Sequence, residues 1–183
     1  MSNLGIQKTR QSSHLLKSGE RVVFRSLETK DKERLLAFLG SFSTETKNKF
    51  GLNVGEYITC PEMLHMVLVN QASDIIGYII LSLKLRDSQM VRYKEYEITV
   101  VEGRDICIAL VIADRYQGKG AGSILLTESV KVAKSLGAKY IILWQGTQLI
   151  NIPAICLYEK FGFTRNGEFE KYGHQNIDMT LIL

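Results

Sequence analysis

The chain has 183 residues, of which 45% are hydrophobic and 23% charged; that balance suits a packed domain and excludes a mostly disordered chain. The length fits one domain whose core needs no disulfide or metal staple. The formal charge is +4, but residues 1–19 hold Lys8, Arg10 and Lys17 and no acid, so the body is nearly neutral and lacks a nucleic-acid footprint.

Residues 1–19 therefore read as a mobile basic tail and 20–183 as a single domain. The longest apolar runs, near 75–83 and 106–113, fall short of the roughly 20 residues that a membrane span needs. Residues 1–19 hold no apolar h-region and are not expected to act as a secretory signal. Cys60, Cys107 and Cys156 are odd in number and form no CxxC pair. The expectation is reduced thiols in a cytoplasmic protein.

Residues 21–27 read as a first strand. Leu35, Leu36 and Leu39 fall at helical spacing over 31–40, with Gly40 as the stop. A short helical stretch follows Ser43, and another is expected around 61–66. Residues 67–70 and 75–84 read as a hairpin about a polar turn. A weakly alternating strand is expected over 93–101, then a turn at 102–105.

Residues 106–112 are continuously apolar, as in a strand buried on both faces. Ala121, Leu125, Val132 and Leu136 form a helical stripe closed by Gly137. A strand is expected over 139–144. Ala154, Leu157, Tyr158 and Phe161 mark a last helix, with Asn151 as N-cap and Pro153 in the first turn. Residues 163–169 and 176–183 close the chain as strands. The sum is a mixed α/β layer architecture.

The stretch Arg115-Tyr-Gln-Gly-Lys-Gly-Ala-Gly-Ser123 joins the buried strand to a helix. Its glycines let a ligand approach the backbone, and the first N–H groups of a helix favour an anion. The P-loop pattern is absent, and the dinucleotide pattern fails because its last glycine falls on Ser123. Neither a nucleophile elbow nor a metal-ligand set is present.

The remaining pattern, Gln117-x-x-Gly120-x-Gly122 after a buried strand, resembles the signature of the GCN5-related N-acetyltransferases. The segment Asn151-Ile-Pro-Ala-Ile-Cys-Leu-Tyr-Glu-Lys-Phe-Gly-Phe163 matches the family's N-x-x-A-x-x-L-Y-x-K-x-G-F helix. Ala113-Asp114 and the opening Arg25-Ser-Leu-Glu28 with Asp31 resemble the branch that includes protein-lysine acetyltransferases. The resemblance implies a mostly antiparallel mixed sheet of about seven strands, with helices on both faces, splayed at the cofactor strand.

It further implies transfer of an acetyl group from acetyl-CoA to a primary amine by direct attack. The acceptor is a small amine, an amino sugar, an antibiotic, or a protein lysine or N-terminus. Amides of Gln117, Gly118, Lys119, Gly120, Ala121 and Gly122 would hold the pyrophosphate. Leu110, Val111 and Ile112 would pair with the pantetheine arm, with the thioester carbonyl near the Val111 amide. Tyr158 matches the tyrosine that protonates the leaving thiolate. Asn151 would contact the pantetheine or the splayed region, and Lys160 the 3′-phosphate.

Many relatives carry a glutamate base where this chain has Cys107. Glu102, Asp105 and Glu97 are then the candidate bases, acting through water. A non-catalytic acyl-CoA sensor is the alternative on the same fold. No metal or membrane partner is expected, and the apolar C-terminal end is compatible with a homodimer.

Overall fold

The computed structural model describes residues 11–50, 63–171 and 173–183. Among the described residues nine strands form one sheet: β1 (Ser12–Leu15), β2 (Arg21–Ser26), β3 (Met63–Val69), β4 (Ile75–Ser82), β5 (Ile106–Ile112), β6 (Tyr140–Leu143), β7 (Thr147–Gln148), β8 (Thr164–Lys171) and β9 (His174–Ile182). The order is β1-β2-β3-β4-β5-β6-β9-β7, with β8 also on β9. Every pairing is antiparallel except β5 with β6. The described α-helices that accompany the sheet are α1 (Lys32–Gly40), α2 (Thr44–Phe50), α3 (Asp87–Glu95), α4 (Ala121–Ser135) and α5 (Ile152–Lys160). No described helix is long and apolar enough to cross a membrane.

The mixed α/β architecture and the strands at 21–27, 75–84, 106–112 and 139–144 follow the sequence pattern closely. Four readings change. Ser12–Leu15, placed in the basic tail, pairs with Arg21–Phe24 as an edge strand. Residues 63–66, expected as helix, belong to β3, where Met63–Met66 face Ser82–Ile79; Pro61 lies outside the described residues. A short apolar run does not reveal its own period, and β2 and β4 offered it a slot.

Residues 93–95, expected as strand, end α3 instead. Glu97, at φ +60, turns the chain out of the helix, and Ile98 N–H reaches back to Tyr93 O. A left-handed glutamate gives none of the usual glycine signal. On α4 the buried positions are Ala121, Leu125, Leu126, Glu128, Ser129 and Ala133, while Val132 is half-buried and Leu136 exposed.

The two faces of β5 have different covers. Ile112 and Leu125 of α4 meet over Gly77 on one face. Cys107 points to the other face, where Gln89 of α3 donates towards its sulfur. Gln89 also donates to Leu143 O at 3.1 Å. Arg92 of α3 pairs with buried Asp178 of β9 at 2.6 Å. These contacts fix α3 across the β5–β6 seam, beside the site described next.

Candidate active site

The parallel ladder between β5 and β6 runs only from Ile106 opposite Ile141 to Ile108 opposite Leu143. Trp144 N–H still donates to Ile108 O at 2.7 Å, and then the strands part. The polarity of the open edge follows from alternation. Ala113 N–H donates to Ile76 O, so odd-numbered residues of β5 spend their main-chain groups on β4. Even-numbered residues face β6. Ile112 O on that edge takes the Gln117 side-chain amide at 3.3 Å. Leu110, between Ile108 and Ile112, therefore presents its N–H and C=O to the cleft. The sequence reading put the cleft-facing amide near Val111; Val111 faces Tyr78 on β4 instead.

At the end of β5 a 3-10 turn over Asp114–Tyr116 leads into the glycine loop. Gln117 braces this turn. Its own N–H goes to Asp114 O, and its side chain to Ile112 O and Asp114 Oδ1. Gly118 and Gly120 have φ of +72° and +95°, a region that costs other residues about 1–2 kcal/mol. Gly120 is the N-cap of α4. The N–H groups of Ala121, Gly122 and Ser123 follow it, with no carbonyl four residues back inside the helix. Gly122 lies so close to α5 that a Cβ there would stand 2.8 Å from a Leu157 methyl.

A cavity of about 1120 Å³ runs from this loop along the open edge of β5. Among the residues expected to bind a cofactor, Leu110, Val111, Ile112, Gln117, Gly118, Gly120, Gly122, Asn151 and Lys160 line it. Ala121 is buried behind the loop and does not. Lys119 does not either: its ammonium lies over the Tyr116 ring, 5.6 Å from the centroid. Asn151 starts α5 through its carbonyl, which takes Ala154 and Ile155 N–H; its side chain makes no cap.

Tyr158 projects from α5 into the cavity wall and is otherwise buried, with its ring 5.3 Å from that of Phe163. Burial pushes its hydroxyl well above the ordinary tyrosine pKa. The group stays protonated and can donate.

The expected bases sit elsewhere. Glu102 is exposed and accepts Leu85 N–H. Asp105 is fully buried and accepts from Arg104 and from Val101, Lys139 and Tyr140 N–H. Burial raises its pKa, but these donors outweigh it and hold the carboxyl below the usual range. Neither residue, nor Glu97, lines the cavity. Both carboxylates are spent on main-chain N–H groups of the surrounding segments. Cys107 is also off the cavity, with its thiol pushed up to about 12 by burial.

Two described carboxylates line the cavity, Glu45 and Asp114. Asp114 is held down by Thr46 Oγ1 at 2.5 Å and Ser43 N–H at 2.8 Å. Glu45 pairs with Lys49 at 2.5 Å. Beyond Ile108 the wall is made by Arg86, Trp144, Gln145, Lys171 and His174. Arg86 lies over Trp144, and Lys171 donates to Gln145. Burial and the nearby Arg86 and Arg92 lower the Lys171 pKa. Sequence reasoning missed Lys17, Arg86, Lys171 and His174, because β1–β2, α3 and the β8–β9 turn meet the cleft only in the folded chain.

A splayed β5–β6 pair, a glycine loop opening α4 and a tyrosine on α5 now stand together, and residues 30–163 match the model of the acetyltransferase (GNAT) family. The chain belongs to that family. A spermine/spermidine N(1)-acetyltransferase of Bacillus subtilis (strain 168) is 30% identical over 105 residues, which cover 56% of this chain. The matched segment spans 60% of that relative's length.

The GNAT domain of S. lividans PAT superposes with a TM-score of 0.75 at 17% identity, over 94% of this chain and 97% of that one. The spermidine N-acetyltransferase from Vibrio cholerae, in complex with CoA and spermine, gives 0.64 at 17% identity over 88% and 95%. At these identities the structures show the shared GNAT fold.

Proposed function

We propose that the chain is an acetyl-CoA-dependent N-acetyltransferase acting on a primary amine. The observation that carries this reading is one continuous cavity with three features in line. They are the amide-rich opening of α4, the free edge of Leu110, and the Tyr158 hydroxyl. Family membership adds independent support.

The cavity fits acetyl-CoA chemically. Acetyl-CoA would supply an acetyl group activated as a thioester. Gly118, Gly120 and the first turn of α4 offer donors to the diphosphate. Leu110 offers its N–H and C=O to the amide-bearing arm and polarises the acyl carbonyl. Tyr158, kept neutral by burial, holds the proton that the departing thiolate takes up.

The acceptor is proposed to carry less positive charge than a polyamine. Apart from Lys17 and Lys160, which the cofactor phosphates would engage, the described lining includes Lys47, Lys49, Arg86 and Lys171 against Glu45 and Asp114. That balance repels a polycation. Spermine and spermidine stand in the name of the B. subtilis relative, and they are not carried over to this chain.

A non-catalytic acyl-CoA sensor is the second reading. It is favoured by a cavity whose two described carboxylates are already engaged by Lys49, Ser43 and Thr46. One experiment separates the two. Acetyl-CoA is incubated with the protein and a panel of amines, and thiol release is followed together with the mass of the N-acetyl product. Acetylation of any amine supports the enzyme. Tight acetyl-CoA binding with no product across amino acids, amino sugars, peptides and polyamines favours the sensor.

A further inference from the structure

This inference rests on the reading of the cavity as an acetyl-CoA site. We infer that Lys17, carried by the N-terminal hairpin, supplies the cation that meets the diphosphate of the cofactor, and that Lys119 inside the glycine loop does not.

The hairpin is built to hold Lys17 there. β1 and β2 close through a turn in which Leu16 N–H donates to Glu20 O and Gly19 N–H to Leu16 O. Leu16 is buried and anchors the turn. The next residue, Lys17, donates its main-chain N–H to Lys119 O at 3.1 Å. Its Nζ lies 3.4 Å from Gly118 O. A second tether joins the same two segments, since the Tyr116 hydroxyl donates to Glu20 at 3.1 Å. Lys17 thus lines the cavity beside Gly118 and Gly120.

Lys119 is nearer in sequence to the anion-binding amides but is aimed elsewhere. Its neighbours Gly118 and Gly120 both have positive φ. Its ammonium lies over the Tyr116 ring, 5.6 Å from the centroid, and Lys119 does not line the cavity. The acid nearest Lys17 in sequence, Glu20, is already engaged by Tyr116. At Gly118 the Lys17 ammonium touches a neutral carbonyl. A diphosphate oxygen in its place gives a charge-assisted bond, which is the stronger kind. Both hairpin strands lie outside residues 30–163, the part that matches the family model.

Isothermal titration of the full chain with CoA and with 3′-dephospho-CoA tests this. The proteins are wild type, Lys17→Ala, Lys17→Arg and Lys119→Ala; both lysines are exposed, so folding is preserved. Lys17→Ala is expected to weaken CoA roughly tenfold or more. Lys17→Arg should retain most of the affinity, and Lys119→Ala should cost less than about twofold. The Lys17→Ala loss should be the same with dephospho-CoA, because the contact is to the diphosphate. Unchanged affinity in Lys17→Ala, or a loss that disappears with dephospho-CoA, overturns the assignment. A wild-type protein that binds neither ligand overturns the cofactor-site reading itself.

Discussion

Replacing Gly120 by alanine separates the loop's structural role from its binding role. Gly120 caps α4 at φ +95°, where an alanine is strained by about 1–2 kcal/mol. The new Cβ would meet Lys17 Cγ at 3.5 Å, an ordinary contact, so the strain is in the backbone alone. Lower freedom in the unfolded chain returns about 0.4–1 kcal/mol. The net destabilisation is then about 1 kcal/mol, or roughly 2–4 °C in Tm for a chain of this size.

The loop can relieve that strain by rotating to negative φ, which turns the first-turn N–H groups of α4 away from the cavity. Each bond to a charged group lost in this way is worth about 1.5–3 kcal/mol, roughly ten- to hundredfold in Kd. Gly120→Ala should therefore show a small Tm change and a large rise in the CoA Kd, read by thermal unfolding and calorimetric titration. Gly137→Ala is the control. Gly137 also has positive φ, with open space around it and no part in the cavity. It should lose stability and keep its CoA affinity. A Gly120→Ala protein that binds CoA within twofold of wild type, or a Gly137→Ala protein weakened to the same degree, would refute the reasoning.

Tyr158→Phe should lower kcat by about a hundredfold or more and leave the CoA Kd within about twofold; unchanged single-turnover kinetics would remove the acid role. Polyamines should be poorer acceptors than monoamines of similar length, and the gap should narrow as salt shortens the Debye length; a preference for spermidine at low salt contradicts the cationic lining. The Arg25 guanidinium, bonded at 2.5 Å, together with Glu28 N–H holds the buried Asp31 carboxyl below the usual carboxylate range. A depressed folded-state pKa means that the stabilisation is complete above the unfolded value, near pH 4, and is lost as pH falls through the folded value. Tm should drop below about pH 4, and Asp31→Asn should show a shallower acid slope; an identical slope in the variant excludes Asp31 as a source.

The glycine loop and the last helix were legible because their signals are local. Positive φ at Gly118 and Gly120 demands glycine wherever the loop is found, and a helical stripe with Tyr158 on its inner side repeats within nine residues. Buried β5 was legible for a similar reason, since a continuous apolar run has no solvent face to show. The segment around α3 was not legible. Its inward residues are Gln89 and Tyr93, and its hold on the sheet comes from Arg92 meeting Asp178 and from Gln89 meeting Leu143 O. Those partners lie dozens of residues away, and no window of sequence contains them.

Sequence alone determined the mixed α/β class from the order of its elements, and it located the glycine loop at the head of a helix and the apolar stripe that carries Tyr158, because each of these two depends on backbone conformation and residue type within a short stretch. Tertiary structure alone decided the rest of the site. Strand pairing selected Leu110 over Val111 as the open amide, because alternation is set by the neighbour that each residue bonds. Main-chain N–H groups of Leu85, Val101, Lys139 and Tyr140 claimed Glu102 and Asp105. The hairpin brought Lys17 to a loop 101 residues away while Lys119 turned out of the cavity. Where a side chain ends up in a cleft is a property of packing between distant elements, and the chain closes that distance only on folding.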